Sequence, residues 1–217
     1  MPGAPYYLLF AGINGAGKST LFRSGMWEHG PIDASLPRVN SDEILAAAGW
    51  DWRDPAAQAR AGREAVRLIR AHIAARETFN QETTLSGRTV MRTIERARDA
   101  GFRVIMFYVG VENPQIANDR IAHRMEIGGH GIDPAVVERR HGSSISNLVE
   151  AIELADEVYL YDNTVLLKLM ARFDHGELAY VDLWSPHITW HRTVIERYGY
   201  IEIELDEKNS SLEAMSG

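Results

Sequence analysis

The sequence predicts an α/β fold in which a mostly parallel sheet is flanked by helices, and three observations lead to this prediction. Short apolar runs alternate with longer segments of helical periodicity along most of the 217 residues. A glycine-rich loop at 12–20 directly follows the first apolar run. Near the C-terminus, the segment 165–183 carries the turn sequence Asp174-His175-Gly176 and predicts a β-hairpin.

The apolar runs and the periodic segments predict the order of the elements before the hairpin. No repeat or low-complexity linker interrupts this order, so we expect a single domain over residues 1–205. The polar residues 206–217 are expected to form a flexible tail. The expected strands are 6–11, 36–39, 77–81, 102–109 and 157–161. The expected helices are 17–27, 41–48, 54–76, 86–100, 113–127 and 134–155.

Composition and charge narrow the class of protein. Hydrophobic residues make up 45% of the chain, which is enough for a sizeable core. The net charge of −7 argues against nucleic-acid and anionic-membrane partners, because both require a basic surface. The absence of cysteine excludes disulfides, thiolate metal sites and cysteine nucleophiles. The N-terminus lacks the pattern of a secretion signal and no segment is long enough to span a bilayer, so a cytoplasmic enzyme is expected.

The loop after the first apolar run has the pattern Gly-x4-Gly-Lys-Ser of a nucleoside-triphosphate phosphate-binding loop. Its glycines allow backbone N–H groups to turn onto phosphate oxygens, and a helix beginning near Gly17 adds the positive end of its dipole. Lys18 is expected to reach the terminal phosphates of ATP or GTP, and the Ser19 hydroxyl to ligate Mg²⁺. The alternative is a chance glycine-rich turn. The predicted nucleotide-binding residues are Gly12, Asn14, Gly15, Ala16, Gly17, Lys18, Ser19 and Thr20.

Two carboxylates follow predicted strands, at the edge where open parallel α/β sheets bind ligands. Asp42 comes just after the second strand, and Glu82 closes the third. Either carboxylate is placed to take or orient the proton of an acceptor hydroxyl, while Mg²⁺ and Lys18 offset the charge of the phosphoryl group. The alternative for Asp42 is a helix-capping role, although Ser41 is the better cap. The alternative for Glu82 is an exposed carboxylate at the strand end.

The residues beyond Glu82 supply further candidate contacts to an acceptor. Thr83 and Thr84 carry hydroxyls at the same strand end, and Arg88 stands near the start of the next predicted helix. From there Arg88 could contact a substrate phosphate or sugar. The alternatives are turn chemistry for the two threonines, leading to a helix cap at Ser86, and an ordinary surface position for Arg88.

A lid is predicted at about 120–141, where two basic helices flank the glycine-rich loop 128–131. Arginines that stand four residues apart on the first helix share one face. Such a lid brings arginines onto the transferring phosphate and excludes water, which competes with the acceptor hydroxyl. The alternative is a helix-loop-helix with solvated or salt-bridged arginines. The candidate lid residues are Arg120, Arg124, His130, Arg139 and Arg140.

Taken together, these motifs resemble the zeta toxin family of bacterial kinases. The resemblance covers most of residues 6–163 and implies a P-loop kinase fold. It also implies ATP- and Mg²⁺-dependent phosphorylation of the 3′-hydroxyl on the amino sugar of UDP-N-acetylglucosamine, and it leaves open an antitoxin protein as a partner. The motifs that carry it are the phosphate loop with its Asn14, Asn40-Ser41-Asp42-Glu43, Glu82-Thr83-Thr84-Leu85 and the arginine-glycine-histidine lid.

The resemblance implies a role for each matched residue. Lys18 matches the lysine that binds ATP, and Asp42 matches the aspartate that serves as general base. Glu82 matches the glutamate that holds the sugar acceptor. Arg124 matches the first phosphate-stabilising arginine, and the second is expected from the neighbouring pair Arg139-Arg140 on the next helix.

The sequence leaves three functions open. The leading hypothesis is a kinase that acts on a UDP-sugar. The second is a kinase of another hydroxyl metabolite or of an antibiotic. The third is a nucleotide-dependent switch or ATPase that binds a protein partner and transfers phosphate only to water. The third function requires a strand that ends in an apolar run followed by an aspartate for Mg²⁺. Residues 108–112, at the end of the fourth strand, match that pattern poorly.

Overall fold

The computed structural model describes residues 3–28, 32–129, 131–182 and 188–198. The predicted tail at 206–217 and the lid residue His130 lie outside the described residues. Within them, helices flank a mostly parallel sheet, so the predicted fold class is confirmed.

In the described part of the chain, seven strands form one sheet. In chain order they are β1 (Tyr6–Ala11), β2 (Arg38–Val39), β3 (Phe79–Thr83), β4 (Arg103–Gly110), β5 (Glu157–Asp162), β6 (Lys168–Asp174) and β7 (Glu177–Val181). Their order across the sheet is β2-β3-β1-β4-β5-β6-β7. The first five strands run parallel, and β6 and β7 form the predicted antiparallel hairpin.

The helices follow the strands in the alternation that the sequence predicts. In chain order they are α1 (Lys18–Ser24), α2 (Ser41–Ala47), α3 (Pro55–Ala75), α4 (Arg88–Asp99), α5 (Pro114–Glu126), α6 (Pro134–Leu154) and α7 (Arg192–Ile195). A 3₁₀ turn at Glu196–Tyr198 follows α7. Among the helices of the described residues, none has both the length and the apolar character that crossing a bilayer requires.

The predicted strands and helices are all present, and their ends differ from the prediction by three residues at most. The largest difference is in α1, which ends at Ser24 because Gly25 adopts a left-handed backbone with φ of 69° and closes the helix. β3 continues two residues beyond its predicted end. Glu82 therefore lies within the strand, opposite Phe10 of β1, instead of following it.

Aromatic side chains fill one face of the central strands. The ring centroid of Phe10 lies 5.3 Å from that of Phe107 on β4 and 4.9 Å from that of Trp27. All three side chains are almost fully buried. Because β1 lies between β3 and β4, this packing fixes the strand that carries the phosphate loop in the middle of the sheet.

The segment 188–198 covers the carboxyl ends of β4 and β5. The indole ring of Trp190 lies against Gly110, where a side chain of any size would collide with it. The Trp190 Nε1 donates a hydrogen bond of 2.8 Å to Asp162, a buried carboxylate that also accepts from the backbone and hydroxyl of Thr164. Asp162 therefore closes the turn after β5, and its hydrogen-bonding capacity is used there.

Replacing Phe107 with alanine should lower the free energy of unfolding by about 3 to 5 kcal/mol, because it removes a buried ring from between Phe10 and Tyr159. Urea denaturation followed by circular dichroism measures this change. Leu166→Ala is the control, because Leu166 is 76% exposed, and its effect should stay within about 0.5 kcal/mol. Equal losses in the two variants would contradict the packing described for the central strands.

Candidate active site

The phosphate loop connects β1 to α1 and is pressed against the neighbouring strands. Gly12 has a φ of 129°, and a Cβ there would collide with the carbonyl oxygen of Val109 on β4. At the other end of the loop, the Asn163 amide donates a hydrogen bond of 2.8 Å to the carbonyl of Ala16. Gly17, with a φ of 110°, caps α1 directly beneath that same amide. Glycine is required at both positions because a side chain would push the loop away from the sheet.

Lys18 begins α1 and is 6% exposed. Its Nζ donates to the carbonyl of Ile13 at 3.0 Å and lies 3.7 Å from Oε1 of Glu82. Burial lowers the pKa of Lys18 from its ordinary value, and the positive charge of Arg124 lowers it further, while Glu82 and Asp42 act in the opposite direction. The ammonium group is therefore only partly compensated by the carboxylates around it.

Glu82 is the point at which several polar groups of the site meet. Its Oε2 accepts a hydrogen bond from the Ser19 hydroxyl at 3.3 Å and forms an ion pair with Nη2 of Arg38 on β2. The Glu82 side chain is 12% exposed, so these charges interact with little screening by water. Glu82 thus stands between the phosphate loop and the strand that precedes α2.

Asp42 lies in the first turn of α2, and its side chain is exposed. The predicted helix cap at Ser41 is wrong, because Asn40 is the N-cap and its side chain accepts a hydrogen bond of 2.9 Å from the backbone N–H of Asp42. The Asn40 amide also donates to Glu43 at 3.2 Å. With the cap supplied by Asn40, the Asp42 carboxylate is directed to the cavity described next.

A cavity of about 600 Å³ lies at the carboxyl edge of the sheet. Its lining combines polar residues, among them Asn14 and Lys18 of the phosphate loop, with Ala61, Gly62, Ala65 and Ile69 of α3. Trp52, on the segment between α2 and α3, stands at its wall. The predicted site residues that line the cavity are Asn14, Lys18, Asp42, Glu82, Thr83, Thr84, Arg124 and Arg140.

The lid arginines divide into two groups. Arg124 on α5 and Arg140 on α6 line the cavity, and the Arg140 Nη1 donates a hydrogen bond of 2.7 Å to the side chain of Asn14 in the phosphate loop. Burial lowers the pKa of Arg140, and Arg139 adds to this, while the nearby Asp42 raises it. Arg120 is turned away, since its Nη2 donates to the backbone carbonyls of Asn163 and Thr164.

Two further predicted arginines do not line the cavity. Arg139 is exposed on α6. Arg88, the first residue of α4, forms an ion pair with Glu150 of α6 on the surface. The structure does not test His130, which lies outside the described residues.

The strand end beyond Glu82 combines turn contacts with cavity-facing positions. The backbone N–H of Leu85 donates to Thr83 Oγ1 at 3.2 Å, and Thr84 Oγ1 lies 2.8 Å from the Ser86 hydroxyl. The predicted cap at Ser86 is wrong, because Gly87 is the N-cap of α4 and no side chain bonds to the helix end. Leu85 itself has a φ of 55°, an uncommon conformation for leucine, and its carbonyl accepts a hydrogen bond from Asn147 of α6.

Sequence reasoning missed Arg38 and the roles of Asn163 and Trp52. Arg38 belongs to a strand of only two residues, so its inward direction leaves no periodic signal. Asn163 follows β5 at the ligand-binding edge, which is the signal that could have identified it, although its partner is the phosphate loop. Trp52 reaches the cavity from an irregular segment, for which residue spacing gives no direction.

Solved structures share this fold at low sequence identity. A chain of the PezAT chromosomal toxin-antitoxin system of Streptococcus pneumoniae matches with a TM-score of 0.57 at 14% identity, over 98% of this chain and 86% of that one. A chain of the AvrRxo1-ORF1 and -ORF2 complex with ATP matches with a TM-score of 0.62 at 13% identity, over 93% of this chain and 65% of that one. A chain of the Pnkp1/Rnl/Hen1 RNA repair complex matches with a TM-score of 0.55 at 17% identity, over 69% and 47% respectively. This chain therefore spans less than two thirds of the last two. The chain therefore shares the α/β fold of these proteins.

No protein-family model matches the chain. An uncharacterized protein of Haemophilus influenzae is 33% identical to it over 135 residues, which make up 62% of this chain and 91% of that protein. The chain belongs to the same family as the Haemophilus protein.

Replacing Lys18 with methionine should have opposite effects on stability and on nucleotide binding. Removing a buried, partly compensated charge should leave the free energy of unfolding unchanged or raise it by up to about 2 kcal/mol at neutral pH. Because folding lowers the Lys18 pKa, this cost is present below the lowered pKa and disappears as pH rises toward the ordinary value of the unfolded chain. The gain from methionine should shrink accordingly at alkaline pH.

The same variant should lose stabilisation by Mg-ATP. In the wild type, ATP at a hundred times its Kd should add about 2.7 kcal/mol, and thermal shift measurements with and without nucleotide give both quantities. A Lys18→Met protein that is clearly destabilised, or still stabilised by ATP, would contradict the role of the buried ammonium.

Proposed function

We propose that the protein transfers the γ-phosphoryl group of ATP to a hydroxyl of a small molecule bound in the cavity. The main support is that the phosphate-loop lysine and the carboxylates of Asp42 and Glu82 all line one cavity of about 600 Å³. That volume falls in the range of small-molecule sites and is far more than one attacking water needs. A hydrolytic switch has no use for such space next to its phosphate loop.

The donor half of the reaction is assigned to the phosphate loop and the start of α1. Backbone N–H groups of the loop and the ammonium of Lys18 would hold the β- and γ-phosphates. In the described residues no group of three or more acidic or histidine side chains could form a metal cage, so Mg²⁺ would be held largely by the nucleotide, with Ser19 as its protein ligand. Bound there, Mg²⁺ would supply positive charge to the transferring phosphoryl group.

The acceptor half is assigned to Asp42. As an acceptor oxygen forms its bond to the γ-phosphorus, the bond from that phosphorus to the β–γ bridging oxygen breaks and ADP leaves. Asp42 takes the hydroxyl proton, for which its exposed carboxylate on the first turn of α2 is suitably placed. Arg124 and Arg140, which line the same cavity, would stabilise the negative charge on the phosphoryl oxygens.

The acceptor that we propose is a UDP-sugar such as UDP-N-acetylglucosamine. The motif resemblance to zeta toxins supports it, as does the composition of the cavity wall. The Trp52 ring lines the cavity, and the guanidinium of Arg53, which also lines it, lies 4.3 Å from the centre of that ring. An aromatic face with an adjacent cation suits a base joined to a diphosphate. A cytoplasmic location and an antitoxin partner stay predictions of the sequence.

Incubation with ATP, Mg²⁺ and a panel of UDP-sugars and unrelated alcohols, read by mass spectrometry, tests this function. A mass gain of one phosphate on a UDP-sugar is the expected result. Phosphorylation of an unrelated alcohol would support kinase activity but show that the acceptor is not a UDP-sugar. ADP release that no acceptor accelerates would contradict the kinase and favour an ATPase.

Asp42→Asn should lower kcat by about 10² to 10⁴-fold, because the amide cannot accept the hydroxyl proton, while the Kd for ATP should change little. Asp99→Asn is the matched control, since Asp99 is an exposed aspartate at the end of α4 and does not line the cavity. Full transfer activity in Asp42→Asn would exclude Asp42 as the base.

The resemblance does not decide whether Arg139 or Arg140 is the second phosphate-stabilising arginine. Substituting each of them should show which one acts. Arg140→Ala should lower kcat by about 10² to 10³-fold, because its guanidinium faces the cavity beside Asn14. Arg139→Ala should change kcat less than about threefold, as expected of an exposed arginine. Steady-state kinetics decide between them, and a larger effect at Arg139 would mean that α6 turns when substrate binds.

A further inference from the structure

We propose that Arg38 is a positioning residue, which restrains Glu82 so that the Lys18 ammonium stays available to the phosphates of the nucleotide. This inference rests on the nucleotide-binding half of the proposed function and is independent of which acceptor is used.

The Arg38 guanidinium is held in one place by contacts on each of its nitrogens. Nη2 forms the ion pair with Glu82, Nη1 donates to Asn80 Oδ1 at 3.1 Å, and Nε donates to Glu43 Oε1 at 3.0 Å. One face of the group lies 4.0 Å from the ring centre of Phe22 on α1. Arginine is suited to this position because its planar fork can bond in three directions and stack at the same time. The Arg38 side chain is 13% exposed and that of Glu82 is 12% exposed, so their ion pair is largely shielded from water, whereas Glu43 is exposed.

Without this restraint, the nearest cation to Glu82 is Lys18. Glu82 Oε1 already lies 3.7 Å from the Lys18 Nζ, just beyond hydrogen-bonding distance. Both side chains are largely buried, at 12% and 6% exposed, so their attraction is stronger than it would be at the surface. These atoms already form a long ion pair, and a small rotation of an unrestrained Glu82 would close it to hydrogen-bonding distance.

A closed pair between Glu82 and Lys18 would compete with ATP. The triphosphate binds through the same ammonium, so it would first have to displace a buried carboxylate and leave that carboxylate unpaired. Arg38 forms an ion pair with Oε2 of Glu82. It therefore provides Glu82 with a cationic partner other than Lys18, which the nucleotide requires. Arg38 thus acts on nucleotide affinity through Glu82 and makes no contact with phosphate itself.

A double-mutant cycle separates this role from simple structural support. The probe is a non-hydrolysable ATP analogue with Mg²⁺, and Kd is measured by calorimetry for the wild type, Arg38→Met, Glu82→Gln and the double variant. Arg38→Met should weaken binding about tenfold. In the Glu82→Gln background, where residue 82 can no longer form an ion pair with Lys18, the same substitution should change Kd by less than about twofold. Arg38→Lys, which keeps the charge but loses the fork, should be intermediate.

Arg103→Gln is the matched control, because Arg103 forms an ion pair of 2.6 Å with the buried Glu157 at the opposite edge of the sheet. The Arg103→Gln variant should have a lower free energy of unfolding in urea but an unchanged Kd for the ATP analogue. Equal weakening by Arg38→Met in both backgrounds would overturn the proposal and leave Arg38 a structural residue. A wild type that binds no nucleotide would refute both this proposal and the kinase, whereas binding without transfer to any acceptor would refute the kinase alone.

Discussion

The contact between the phosphate loop and the adjoining strand ends is the constraint on which the site depends. The backbone of Gly12 passes directly beneath the Val109 carbonyl, so β4 sets the height of the loop above the sheet. The Asn163 amide holds the far end of the loop, and Arg140 holds Asn14 from the side of α6. Because each of these contacts comes from a different element, the loop geometry depends on the complete sheet rather than on local glycine content.

The sequence could predict the order of elements because parallel strands buried on both faces are nearly continuous apolar runs. It could also predict that Asp42 and Glu82 lie near the phosphate loop, since strand ends share one edge. It could not say which arginines face inward. Arg120 and Arg124 are four residues apart and share a helix face, yet backbone carbonyls after β5 capture the first while the second lines the cavity. That difference depends on residues more than forty positions away.

Positive charge is concentrated locally in a chain that is acidic overall. Lys18, Arg124 and Arg140 line the same cavity, and burial lowers the pKa of both Lys18 and Arg140. The folded protein therefore keeps cations in a place where their solvation is poor. Poorly solvated cations of this kind favour an anionic ligand, because the charge of the ligand offsets part of the cost of burying them.

The packing of Trp190 on Gly110 limits how far the chain can be truncated from its C-terminus. The Trp190 indole donates a hydrogen bond to Asp162, which lies 28 residues earlier in the chain. Asp162 is a buried carboxylate at the end of β5. A fragment that stops after the hairpin would keep every motif of the site but expose the ends of β4 and β5 and leave Asp162 short of a donor. Those ends adjoin Val109 and Asn163, the two residues against which the phosphate loop rests. The smallest fragment that keeps the phosphate loop supported is therefore set by the C-terminal segment rather than by the last motif residue.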